Sequence, residues 1–164
     1  MGIFSKKPRT MDDFARKFTV QAHRFIVQVV KDIRKGKYFL GVPKEQIYTE
    51  LLLFHFWSLK FVKFPDEIRN GLIKLRVKAR NVPEANRQGL YALIEERSKE
   101  YFDAWGYDEF EGGAARAAHL LVSHLDENQA PNGLNELVEA LIMAAMVSMV
   151  KASAEISLEF RKNA

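Results

Sequence analysis

The sequence predicts an all-α protein, a single-domain bundle of five or six helices around one highly apolar central helix. Three observations lead there. Residues 47–64, IYTELLLFHFWSLKFVKF, are apolar around most of their circumference when wound at about 100° per residue, so this helix has to be covered on several sides. Other stretches place apolar residues at three- and four-residue spacing, the period of an amphipathic helix. No stretch alternates as a half-buried strand does, and there is no internal repeat or low-complexity segment.

A chain of 164 residues is long enough for one domain with a proper core. With 48% hydrophobic and 28% charged residues it belongs with folded globular chains rather than disordered ones. Cysteine is absent, which excludes a disulfide framework, a thiolate metal site and a cysteine nucleophile.

Taken in order, residues 1–10 form a flexible basic tail without the apolar run of a secretory signal. The first helix spans 11–35, capped by Thr10 with Asp13 three residues on. Phe14, Phe18, Phe25, Val29 and Ile33 make its stripe, widened by Ile26 and Val30, and Gly36 is its natural stop. Pro43 suits the first turn of the central helix. After Pro65, a third helix over 66–80 keeps Ile68, Leu72, Leu75 and Ala79 on one face and Arg69, Lys74, Arg76, Lys78 and Arg80 on the others.

Asn81 and Pro83 start a fourth helix that runs to about residue 104, with Leu90, Ile94, Tyr101 and Trp105 in line. Residues 105–113, WGYDEFEGG, read as a loop, and an alanine-rich fifth helix covers 114–126. The last helix, 134–161, has one stripe through Leu134, Leu137, Val138, Leu141, Ala145, Met149, Ala152 and Ile156. A second runs through Met143, Met146, Val147, Val150 and Ala154, marking either a second central helix or an oligomer interface. Its longest apolar run, 140–150 with Ser148 allowed, is about half a membrane span, so the chain is expected not to be transmembrane but cytoplasmic.

Net charge is uneven. Residues 1–80 hold 18 of the 25 Lys and Arg against 7 of the 21 Asp and Glu, a net of +11, and the remainder carries −7. Such a split suits an anionic surface, or basic and acidic helices neutralising one another once packed.

No phosphate loop, HExxH or GxSxG is present. A di-iron bundle needs Glu three residues before His, and Val20, Leu52, Arg116 and Leu121 stand there instead. No metal and no cofactor are expected. His55 is the sharpest single candidate, flanked by Leu51 and Leu59, and reads as a ligand-binding group with Tyr48 and Glu50 or as a satisfied core residue. Glu50 lies about 140° round the helix from His55 and would pair with a cation of a neighbouring helix.

The sequence therefore favours a non-enzymatic interaction protein. Its partner would be a second copy of the chain or another protein, met through Met143, Met146 and Val150 or through the loop aromatics Trp105, Tyr107 and Phe110. A small-molecule pocket near His55 is one alternative. The other is nucleic-acid or anionic-surface binding through Lys74, Arg76, Lys78 and Arg80.

Overall fold

The computed structural model describes residues 11–79, 82–106, 110–125 and 134–163. The expected tail 1–10 lies outside them, as do Arg80 and Tyr107. The described residues form six helices: α1 (Met11–Lys35), α2 (Lys44–Phe61), α3 (Asp66–Ala79), α4 (Glu84–Trp105), α5 (Phe110–Leu125) and α6 (Leu134–Asn163). They contain no strand. The central helix is where the apolar circumference of residues 47–64 put it: α2 touches each of the other helices, and every residue from Glu50 to Leu59 is buried.

The ends of α2 differ from expectation. The helix starts at Lys44, because Pro43 occupies the N-cap position and its carbonyl accepts from the amides of Gln46 and Ile47. It stops at Phe61, before Phe64, in a Schellman turn. The Lys63 amide reaches the Lys60 carbonyl at 3.0 Å and the Phe64 amide reaches the Leu59 carbonyl at 2.9 Å. Phe64 is still buried, but as the apolar residue that follows such a cap and packs back on the helix.

α1 ends in the same way. Lys37 donates to the Arg34 carbonyl (3.0 Å) and Tyr38 to the Ile33 carbonyl (3.1 Å). The left-handed residue of this turn is therefore Lys37, at φ 63°, and not the expected Gly36. Gly36 serves a steric purpose: a Cβ there would stand 2.4 Å from the Tyr38 ring.

Two faces are turned relative to the sequence reading. In α3, Ile68 and Leu72 are buried as expected, but Ile73, Val77 and the guanidinium-bearing Arg69 join them while Leu75 is exposed. In α6, the buried line is Val138, Ile142, Ala145, Met146, Met149, Val150, Ser153 and Ser157, which runs between the two expected stripes and leaves Leu137 exposed. By length and composition alone, Leu137–Lys162 is long and apolar enough to cross a membrane, and in this fold one side of it walls the core against α2 and α5. α5 begins four residues early, at Phe110. Gly106 (φ 69°) breaks the chain after α4, and Arg116 ties the junction by donating to the carbonyls of Ala104 (2.6 Å) and Trp105 (2.7 Å). At Gly113 a Cβ would lie 2.5 Å from the Trp105 carbonyl, so this glycine lets α5 approach the end of α4.

A left-handed backbone costs an L-residue with a Cβ roughly 1–2 kcal/mol, which glycine avoids at some cost in unfolded-state entropy. Lys37→Gly and Lys63→Gly are each expected to stabilise the protein by about 0.5–1 kcal/mol, read as a higher urea midpoint at unchanged slope. An unchanged or lower midpoint for both would show that the surrounding turn already absorbs the strain.

Candidate functional site

Two polar side chains stand in the buried band of α2, and they face different neighbours. Glu50 points to α4, where Arg97 grips its carboxylate with Nε at 3.2 Å and Nη2 at 3.4 Å. Arg97 Nη1 donates to Glu100 Oε2 at 3.0 Å, and that oxygen lies 3.0 Å from His124 Nε2 on α5. Glu50, Arg97, Glu100 and His124 thus form one chain of polar contacts through three helices. The expected cation for Glu50 is Arg97. Burial by itself would lower the Arg97 pKa, but the hydrogen bond and charge of Glu50, with those of Glu100, turn the net shift upward, so the guanidinium stays charged.

Beside this chain lies an aromatic cluster from α2, α4 and α5. The Phe54 ring centroid is 5.0 Å from Trp57 and 5.1 Å from Tyr101, and Trp57 is 5.1 Å from Trp105. Burial pushes the Tyr101 phenol well above its ordinary 10.0, and the Glu50 carboxylate adds to that shift. These contacts have the character of a structural staple: apolar rings on one side, the Glu50–Arg97–Glu100 ion pairs on the other.

His55 faces the opposite way, toward α1 and α6. Its ring sits 5.1 Å from that of Phe18. A cavity of about 380 Å³ opens there, lined by Phe18, Gln21, Ala22 and Phe25 of α1, by His55, and by the α6 segment from Ser148 to Ile156. Below it, Ser58 Oγ donates to the His55 carbonyl (2.7 Å) and lies 3.1 Å from Ser153 Oγ. With the Ser58 proton committed to that carbonyl, Ser153 is the donor across the helix pair. The two serines are fully buried and small enough to let α2 and α6 meet closely.

The predicted ligand-binding trio is therefore split. Glu50 belongs to the α4 ion pair. Tyr48, on the same side of α2 as His55 but about two turns away, has its hydroxyl 2.7 Å from His23 Nδ1 of α1. Only His55 of the three lines the cavity. The cavity's other walls were not singled out from the sequence. Phe18, Phe25, Met149 and Ile156 carried only a core signal, and Gln21 and Ser153 carried none.

The predicted partner anchors need correction as well. Trp105, Met146 and Val150 are buried inside the chain, where the aromatic cluster and the α6 core line enclose them, so they offer no surface to a partner. Met143 is half-buried against the core. Phe110 is 40% exposed and leans edge-on against Trp105 at 5.3 Å. Of the anion-binding set, Lys74 is exposed on α3, while the side chains of Arg76 and Lys78 lie outside the described residues. Among the described residues, no group of three or more His, Asp or Glu side chains could hold a metal ion.

Compared with protein-family models, with curated proteins and with solved structures, the chain finds no match. The His55 cavity therefore stands on its geometry alone.

Two outcomes test the Glu50–Tyr101 side as a structural staple. Arg97→Met leaves a buried carboxylate without its cation and is expected to cost about 3 kcal/mol, whereas Glu50→Leu combined with Arg97→Met recovers most of that loss. Additive losses in a urea-unfolding cycle would sink the pairing. At alkaline pH the folded state holds the Tyr101 proton after the unfolded chain has released it, so the native state binds more protons and stability falls as pH rises. That contribution is complete below about pH 10, the free-phenol value, and is lost upward from there toward the raised folded value. Tyr101→Phe should flatten this alkaline slope in unfolding titrations. An unaltered slope would assign it to other groups.

Proposed function

We propose that the protein is a binding module for a small, largely apolar molecule carrying one hydrogen-bonding group, held between α1 and α6 over His55. One observation carries this reading: an apolar cavity of about 380 Å³ has a buried histidine at its floor. Ligand pockets span roughly 300–1,000 Å³ and are mostly apolar with a few placed polar groups, which is the character of this one. Phe18, Phe25, Met149 and Ile156 offer apolar and aromatic surface to the ligand body. His55 offers its imidazole to the polar group, and Gln21 and Ser148, both exposed, stand at the mouth.

Binding fits this lining better than catalysis. Among the described residues that line the cavity, apolar side chains predominate and His55 is the one titratable group. Reading the chain as an interaction module rests on Met143, Met146 and Val150 and on Trp105, Tyr107 and Phe110, of which Trp105, Met146 and Val150 are buried while Met143 is half-buried and Phe110 exposed.

Methyl NMR of Met149 and Ile156 during titration with hexanoate and with indole tests the proposal. At least one probe is expected to shift both methyls in a saturable way. Ala152→Phe, placed on the exposed rim, should fill the cavity and abolish the shifts. His55→Phe should weaken hexanoate about tenfold, the size of one lost hydrogen bond to a charged group. Absence of saturable shifts with either probe, or full binding by Ala152→Phe, would refute the assignment.

A further inference from the structure

The connection between α1 and α2 is built to hold one large apolar side chain out in solvent. Val42 donates to the Phe39 carbonyl at 3.0 Å, closing a four-residue turn with Leu40 and Gly41 at its apex. Phe39 is buried, and Leu40 is 69% exposed, the most exposed large hydrophobic side chain among the described residues. Arg34 of α1 reaches over and donates to the carbonyls of both Phe39 and Val42. Lys37 and Phe39 both have positive φ (63° and 50°), so two non-glycine residues carry backbone strain within three positions. A buried anchor, an arginine clamp and this strained backbone together fix where Leu40 points.

The surroundings of that leucine are basic. Lys35 and Lys37 precede the turn, Lys44 follows it, and Lys31 lies one helical turn before Lys35 on the same side of α1; all four are exposed. The carboxylates on these two helix ends are Asp32, which accepts a hydrogen bond from Gln28 at 2.9 Å, and Glu45 in the first turn of α2. Cations outnumber them. The pocket between α2, α3 and α4 brings Val77 and Val82 beside Thr49 and Leu52, so the C-terminal end of α3 lies toward the same end of the bundle.

We propose that this turn docks the protein on an anionic lipid bilayer, with Leu40 inserted below the headgroups and Lys31, Lys35, Lys37 and Lys44 at the level of the lipid phosphates. Charge complementarity selects the surface, since juxtamembrane lysines are drawn to anionic leaflets. The exposed leucine selects lipid over nucleic acid. Against a phosphate backbone Leu40 would gain nothing, whereas in a bilayer it leaves water while the lysine stems extend back to the interface. This surface is separate from the His55 cavity, and neither assignment depends on the other.

Vesicle co-sedimentation of the full chain tests it, using phosphatidylcholine alone and phosphatidylcholine with roughly one third phosphatidylserine. Binding is expected only to the anionic vesicles and should weaken as salt rises. Leu40→Gln should lower the partition coefficient about tenfold while keeping the salt dependence, as loss of one buried leucine implies. The triple variant Lys35→Gln, Lys37→Asn, Lys44→Gln should lower it at least tenfold. All these positions are exposed, and unchanged thermal melts would confirm intact folding. As a second readout, Leu40→Trp should shift its emission to the blue on anionic vesicles, against native Trp57 and Trp105, which are already buried. No binding to anionic vesicles overturns the proposal. So does a Leu40→Gln variant that binds like the parent, or a Leu40→Trp emission that stays unshifted. Salt-sensitive binding to a DNA duplex that the lysine variant loses and Leu40→Gln keeps, without vesicle binding, would assign the surface to nucleic acid instead.

Discussion

A helix that is apolar around most of its circumference cannot be covered by one neighbour, and the rest of this bundle follows from enclosing α2. Its buried band from Glu50 to Leu59 faces α4 and α5 on one side and α1 and α6 on the other, with α3 closing the gap. Full enclosure leaves polar side chains in that band with no water to turn to. A charge or hydroxyl left unmet there is costly. Arg97 meets Glu50 and Ser153 meets Ser58, and just before the band His23 meets Tyr48. These pairs set the register of α4, α6 and α1 against the central helix, a job that apolar packing alone performs poorly.

The same geometry accounts for the cavity. α1 and α6 both lie along α2 but meet each other only sparsely, so a space remains between them with α2 as its floor. The residue of α2 at that floor is His55. On the other side, α4 and α5 are drawn together by Gly113 against Trp105 and by the rings of Phe54, Trp57 and Tyr101, and the packing there is dense. The bundle is thus asymmetric about its own axis, closely packed on the ion-pair side and open on the histidine side.

Helix ends add a third layer of organisation. Both α1 and α2 finish in Schellman turns with a lysine in the left-handed position. In each case the following aromatic residue, Tyr38 or Phe64, folds back toward the helix it has just left. Arg161 of α6 donates to the Lys63 carbonyl at 3.1 Å and ties the second of these turns to the last helix. The first is tied by Arg34 from within α1. Short, clamped connections of this kind hold helices whose packing leaves a cavity between them.

What the residue pattern determined alone was the kind of fold and the identity of its centre. A stretch of helical length that is apolar around most of its circumference admits few arrangements, and the periodic stripes of α1 and α4 could be read without knowing what covers them. That Glu50 needs a cation also followed from its place among apolar neighbours. Which cation answers it did not, because Arg97 is 47 residues away and nothing local marks it. The left-handed position after α1 fell on Lys37 rather than on Gly36, whose missing Cβ instead leaves room for the Tyr38 ring. The rotation of α3 and α6, the burial of Trp105, Met146 and Val150, and the opening beside His55 were decided only when six helices shared one core. A stripe shows which side of a helix is apolar. Where two such sides meet well and where they leave a space depends on volumes contributed by residues far apart in the chain.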